Sequence, residues 1–121
     1  MKEKPAILII EDEEFNYDLP QFILTGLNVR IYWAKTADEG MKYFKEKAID
    51  LVLMDVKLPD KNGYQLTREF KSMDSSVPVI AQTSYALAGD REKAIEAGCD
   101  DYLAKPIRKA KLLETVKPYL Q

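Results

Sequence analysis

Five residues with reactive side chains stand where apolar runs end: Glu11 and Asp12 after AILII, Asp55 after LVLM, Thr83 after VPVIAQ and Lys105 after DYLA. If those runs are parallel strands of one sheet, all five side chains meet at its carboxyl edge, where open α/β sheets bind ligands. Two like charges about 4 Å apart at an effective dielectric near 20 repel by roughly 4 kcal/mol, so gathered carboxylates must take up protons or bind a cation. The candidate ligands are all oxygens and the chain has no histidine, which favours a hard ion such as Mg²⁺ over zinc. Mg²⁺ takes one or two carboxylates, keeps waters and fills its octahedron with phosphate oxygens, so a phosphoryl group is the natural substrate. A loose transition state spreads negative charge that the Lys105 ammonium and the Thr83 hydroxyl can stabilise. Asp55 is then the nucleophile, and it needs no base to ionise at neutral pH.

The elements that position these groups alternate through the whole chain. Strands are expected at 5–10, 29–34, 50–55, 77–82 and 101–104, and runs without alternation imply burial on both faces. Helical period follows in Phe15, Leu19, Phe22, Ile23; in Met41, Phe44, Ala48; in Leu66, Phe70, Met73; and in Leu112, Val116, Leu120. Thr36 with Glu39 reads as a capping box, and Gly26 and Gly98 stand where left-handed helix terminators belong. Pro20 falls inside the first helix and predicts a late start or a kink, with Asp18 as cap and Phe15 to Tyr17 as an irregular lead-in. Right-handed crossovers make this a doubly wound α/β fold, a flavodoxin-like (βα)5 arrangement with a five-stranded parallel sheet in the order 2-1-3-4-5. Its topological switch point lies between the strands that end in Glu11-Asp12 and in Asp55.

A chain of 121 residues suits one domain, expected over 1–121, and no apolar stretch approaches the roughly 20 residues that span a bilayer. Neither a membrane contact nor a secretory signal is expected, and the single Cys99 excludes an internal disulfide, so a cytoplasmic address follows. A net charge of −2 gives no general attraction to nucleic acid. The basic cluster Lys105, Arg108, Lys109 and Lys111 reads as a solvated helix face.

An ordered set of motifs resembles the receiver domain of two-component response regulators over essentially the full length. It comprises Glu11-Asp12, Met54-Asp55-Val56, Leu58-Pro59 through Asn62-Gly63, Pro78-Val79-Ile80-Ala81-Gln82-Thr83, and Asp101-Tyr102-Leu103-Ala104-Lys105-Pro106-Ile107. The resemblance implies that Asp55 is phosphorylated from a phosphohistidine on a histidine kinase or a histidine phosphotransfer protein. It implies Mg²⁺ held by Asp12, Asp55 and the backbone carbonyl of Lys57, with Glu11 acting through water, and a cis bond at Lys105-Pro106. It also implies a switch in which Thr83 moves toward the phosphoryl group and Tyr102 follows inward, reshaping the face of helix 4, strand 5 and helix 5. The protein is then a signalling phosphoacceptor, not an enzyme acting on a separate substrate.

Ser84 stands where the family commonly has alanine, a difference that bears on access to the phosphoryl group. Lys57 and Tyr85, each two residues beyond Asp55 and Thr83, are placed to screen the acyl phosphate from water. Two other classes stay open: a docking module that is never phosphorylated, and a phosphatase of the haloacid dehalogenase type, which wants an Asp where Lys57 stands. With nothing beyond the fifth helix, the signal is expected to leave through a protein surface, either from a stand-alone receiver or from a segment of a hybrid kinase.

Overall fold

The computed structural model describes residues 4–84 and 89–120. In chain order the elements are β1 (Ala6–Ile10), α1 (Glu14–Thr25), β2 (Arg30–Ala34), α2 (Ala37–Glu46), β3 (Leu51–Asp55), α3 (Gly63–Met73), β4 (Val79–Thr83), α4 (Asp90–Ala97), β5 (Asp101–Ala104) and α5 (Lys109–Val116), followed by a 3-10 turn over Lys117–Leu120. The strands are parallel and ordered β2-β1-β3-β4-β5, as expected.

The three central strands are buried along their whole length because helices cover both sides of the sheet. On one side Leu8, Ile10, Val52, Met54, Val79 and Ala81 pack with Leu66 and Phe70 of α3 and Ala94 of α4. On the other, Ile7, Ile9, Leu51, Leu53 and Ile80 meet Ile23 and Leu24 of α1 and Leu112 and Val116 of α5. The Phe44 and Phe70 rings, stacked with centroids 4.0 Å apart, join α2 to α3.

Helix ends match the expected chemistry in part. The Thr36 side chain accepts from the Glu39 N–H at 3.1 Å, and the Glu39 carboxylate accepts from the Lys35 N–H, one residue ahead of the cap. Gly98 ends α4 at φ +104°, as a left-handed terminator should. Gly26 does not: its φ is −69°, and α1 instead tightens through a bond from the Leu27 N–H to the Leu24 carbonyl. The late start expected for α1 is also corrected, since the helix begins at Glu14 with Phe15 to Asp18 inside it and Pro20 in its interior. A proline there leaves the Asn16 carbonyl without its helical donor, and Asn16 is partly exposed, so water can serve it.

The apolar stripe of α1 divides. Ile23 and Leu24 enter the core, whereas Phe15 (86% exposed), Phe22 (76%) and Leu19 (48%) face outward.

At the amino edge of the sheet, two aspartates that precede strands hold the starts of their neighbours. Asp50 accepts from the Ala6 N–H and Asp100 from the Val79 N–H, each at 2.8 Å. Lys71 of α3 adds an ion pair to Asp100 at 2.7 Å and a bond to the Val77 carbonyl at 2.8 Å.

Candidate functional site

At the opposite edge, β1 and β3 diverge into helices on different sides of the sheet, and the crevice so opened receives the acidic residues. Asp55 is the last residue of β3 and Glu11 directly follows β1; both are buried, at 5% and 1% exposure. Asp12 is exposed beside them. One carboxylate oxygen from each of the three lies within 4.8 Å of the others, an all-oxygen set of the kind that suits a hard divalent cation.

Lys105 follows β5 and turns into this crevice. Its ammonium stands 2.8 Å from Glu11 Oε1 and 3.5 Å from Asp55 Oδ1. Burial pushes the Glu11 carboxyl up to about 7, with the nearby Asp55 charge adding to that and the Lys105 bond opposing it. Burial likewise raises Asp55, while Lys105 and the Lys57 N–H counteract it. One cation is insufficient for three carboxylates, which leaves room for further positive charge.

The loop after β3 wraps Asp55. The Lys57 N–H donates to Asp55 Oδ1 at 3.2 Å, Lys57 bridges to Asn62, and the Gly63 N–H returns to the Val56 carbonyl at 2.8 Å. A Cβ on Gly63 would stand 2.8 Å from the Val56 Cα, so this close return of the chain admits only glycine. Asp60, in the same loop, caps α2 from outside: its two carboxylate oxygens accept from the Ala37 and Asp38 N–H groups at 2.8 and 3.0 Å. These bonds hold its carboxyl below the usual range against the upward push of burial.

Thr83 ends β4, is buried, and accepts from the Lys105 N–H on its carbonyl at 2.8 Å. Ser84 is exposed just past it, and Tyr85 lies outside the described residues. The Lys105-Pro106 peptide is cis, as expected, and Pro106 is exposed. Tyr102 is half-buried against the core on the α3 and α4 side. Burial and Asp90 raise its hydroxyl, and burial, Asp90 and Tyr102 push the neighbouring Tyr64 hydroxyl up to about 12.

The sequence motifs did not single out three residues at this edge. Trp33 of β2 donates its indole N–H to the Glu11 carbonyl at 2.8 Å, and Tyr17 stacks on its ring. Gln82, the register partner of Asp55, carries a buried amide oxygen with no hydrogen-bond partner among the described residues. Asp60 is the third. The position of Trp33, one residue before the end of its strand, was the available signal; the bonds of Asp60 and the burial of the Gln82 amide depend on tertiary approach.

The family model for the response regulator receiver domain matches residues 7–117. This chain belongs to that family. The receiver is 33% identical over 117 residues to the polar-differentiation response regulator DivK of Brucella anthropi, covering 95% of each chain. A CheY-like receiver domain protein from Methanospirillum hungatei JF-1 superposes with TM-score 0.90 at 31% identity, over 97% of this chain and 94% of that one. The receiver domain of sensor histidine kinase PA1611 from Pseudomonas aeruginosa PAO1, solved with a magnesium ion coordinated in its active site cleft, gives TM-score 0.87 at 34% identity, over 97% of this chain and 98% of that one.

Beside the acidic crevice of this receiver, Phe15, Leu19, Pro20 and Phe22 of α1 and Pro106 and Ile107 line a largely apolar groove of about 530 Å³. Among the described residues, no helix is long and apolar enough to cross a membrane.

Proposed function

We propose that this receiver accepts a phosphoryl group on Asp55 from a phosphohistidine of a histidine kinase or histidine phosphotransfer protein in the cytoplasm. The observation that supports this best is the setting of Asp55: a buried carboxylate with oxygens of two further carboxylates within 4.8 Å and the Lys105 ammonium 3.5 Å away. The donor set fits Mg²⁺, with Asp12, Asp55 and the Lys57 carbonyl as its ligands and Glu11 acting through water. Bound there, the ion neutralises carboxylate charge and the charge developing on the phosphoryl oxygens.

The chain's own groups perform the rest. An Asp55 carboxylate oxygen attacks phosphorus, forming an O–P bond as the N–P bond of the donor breaks, and the imidazole nitrogen departs with the electron pair. Lys105 leaves Glu11 to pair with a phosphoryl oxygen, and the Thr83 hydroxyl donates to another. In hydrolysis, water attacks phosphorus, the P–O bond to Asp55 breaks, and inorganic phosphate and the Asp55 carboxylate separate; Lys57 and Tyr85, two residues beyond Asp55 and Thr83 in the sequence, are assigned to screen the acyl phosphate from that water. Movement of Thr83 toward the phosphoryl group and of Tyr102 inward would pass the change to the α4, β5 and α5 face.

The donor must come within bonding distance of Asp55, so part of it covers the surface next to Lys105. The exposed Phe15, Leu19 and Phe22 with Pro106 and Ile107 supply an apolar landing there, and we assign that groove to the donor's surface around its histidine. A haloacid dehalogenase-type phosphatase would need an acid in place of Lys57.

Intact-mass measurement after incubation with Mg²⁺ and acetyl phosphate tests the reading. A phosphoryl adduct is expected in the wild-type protein and not in Asp55→Ala. A folded wild-type protein that gains none, from acetyl phosphate or from a phosphohistidine donor, would overturn it in favour of a docking module.

A further inference from the structure

Trp33 is an edge-strand tryptophan that joins neither of the two core clusters among the described residues, yet it is held firmly. Its ring lies parallel to Tyr17 of α1, with centroids 4.0 Å apart and planes 6° from coplanar, and the Lys35 ammonium stands 4.7 Å from its centroid. What this stack holds in place is the Glu11 peptide. The indole N–H donates to the Glu11 carbonyl at 2.8 Å, and the Glu11 N–H donates to the Ala34 carbonyl at 2.9 Å. Both polar groups of the Glu11 backbone are therefore satisfied by the last two residues of β2. On the far side of Asp12, the Glu13 N–H reaches back to Glu11 Oε2 at 3.3 Å. Asp12, the exposed acid of the three, thus sits between two anchored residues.

The physical need for such an anchor follows from the like charges. Carboxylate oxygens of Glu11, Asp12 and Asp55 within 4.8 Å repel one another, and a loop free to move would relieve that repulsion by opening. A loop held closed meets the cation already assembled and spends less of the binding free energy on ordering. We propose that Trp33, clamped by Tyr17, is a positioning residue that preassembles the acidic loop for its divalent cation. The inference rests on the receiver reading above. Trp33 touches neither ion nor substrate; it acts through the Glu11 peptide.

The two halves of the clamp can be removed separately. Trp33→Phe keeps an aromatic ring and deletes the N–H donor; Tyr17→Leu deletes the stack and keeps the donor; Tyr17→Phe conserves the stack. In calorimetric titrations with MgCl₂ alone, at a temperature where circular dichroism shows each variant folded, Trp33→Phe and Tyr17→Leu should weaken binding by roughly 3- to 10-fold, and Tyr17→Phe should match wild type. A residue that merely stabilised the fold would lower the melting temperature and leave the affinity of the folded protein unchanged. Trp33 is the single tryptophan of the chain, so in the unmodified protein its emission should follow Mg²⁺ with the same half-point as the heat. Wild-type protein that binds no Mg²⁺ overturns the proposed phosphoacceptor function and the clamp together. Wild-type binding with unchanged affinity in either Trp33→Phe or Tyr17→Leu overturns the clamp alone. If neither variant folds, emission that ignores Mg²⁺ while the wild-type heat shows binding does the same.

Discussion

Lys105 and Glu11, 94 residues apart in the chain, form a partly buried ion pair at 2.8 Å, closer than the 3.5 Å between Lys105 and Asp55. The ammonium thus rests mainly on Glu11 and not on Asp55, the proposed phosphoacceptor. If Asp55 accepts a phosphoryl group as proposed, Glu11 gives the ammonium a place to return to when that group leaves.

Lys105→Ala is therefore expected to separate metal binding from phosphoryl transfer. Loss of the ammonium leaves Mg²⁺ affinity equal to or tighter than wild type, because one competing cation is gone. Labelling of Asp55 from acetyl phosphate should slow on the order of 10²-fold, the usual cost of removing one charge-stabilising donor. Labelling at the wild-type rate would remove Lys105 from the transfer step.

The raised Glu11 carboxyl makes stability depend on pH. Its folded-state value, about 7, lies above the ordinary 4.5, so between these values the folded protein holds the proton more tightly than the unfolded chain. Its contribution is fully present below the lower value and is lost as pH rises through the upper one, on the order of 1–3 kcal/mol in all. Thermal melts in EDTA should thus fall from about pH 5 to about pH 8, and saturating Mg²⁺ should flatten that fall. A melting temperature that climbs over this range in EDTA would show that the carboxyl is not raised.

Phe22→Asp discriminates donor docking from chemistry. With Phe22 exposed and outside the core, the variant should fold as wild type. Transfer from a phosphohistidine protein should slow about 10-fold or more, the loss typical of an interface hot spot, while acetyl phosphate labels Asp55 as before. Equal rates from the protein donor would place its docking elsewhere.

Gln82→Leu should stabilise the protein. The amide oxygen, unpaired among the described residues, is buried on the strand next to Asp55, and an apolar side chain of comparable volume removes its desolvation penalty, about 1–3 kcal/mol. Chemical denaturation with an unchanged m-value would measure the gain. A loss of stability would mean that the amide finds a partner, such as an internal water.

The parts of the fold that sequence conveys well are those governed by a single local rule. The uninterrupted runs of β1, β3 and β4 could only be doubly covered strands, and the polar residue ending each run had to fall at the carboxyl edge, which placed Glu11, Asp12, Asp55 and Thr83 correctly. Where two rules compete, local signals mislead. The spacing of Phe15, Leu19 and Phe22 is helical, but it marks an outward face. Pro20 lies inside α1 without ending it, because its burial and the solvent access of Asn16 offset the missing bond. Gly26 closes its helix in an ordinary right-handed conformation. Contacts across the chain were beyond any pattern: the Asp60 cap on α2, 22 and 23 residues away, and the Tyr17 and Trp33 stack exist only after the sheet has formed.

The anchored amino edge has a mechanical consequence. Asp50 and Asp100 tether the beginnings of β1 and β4, and Lys71 ties α3 to Asp100 and to the Val77 carbonyl ahead of β4. With those roots held, a disturbance at Asp55 is expected to shift the loops of the opposite rim more than the amino ends of β1 and β4.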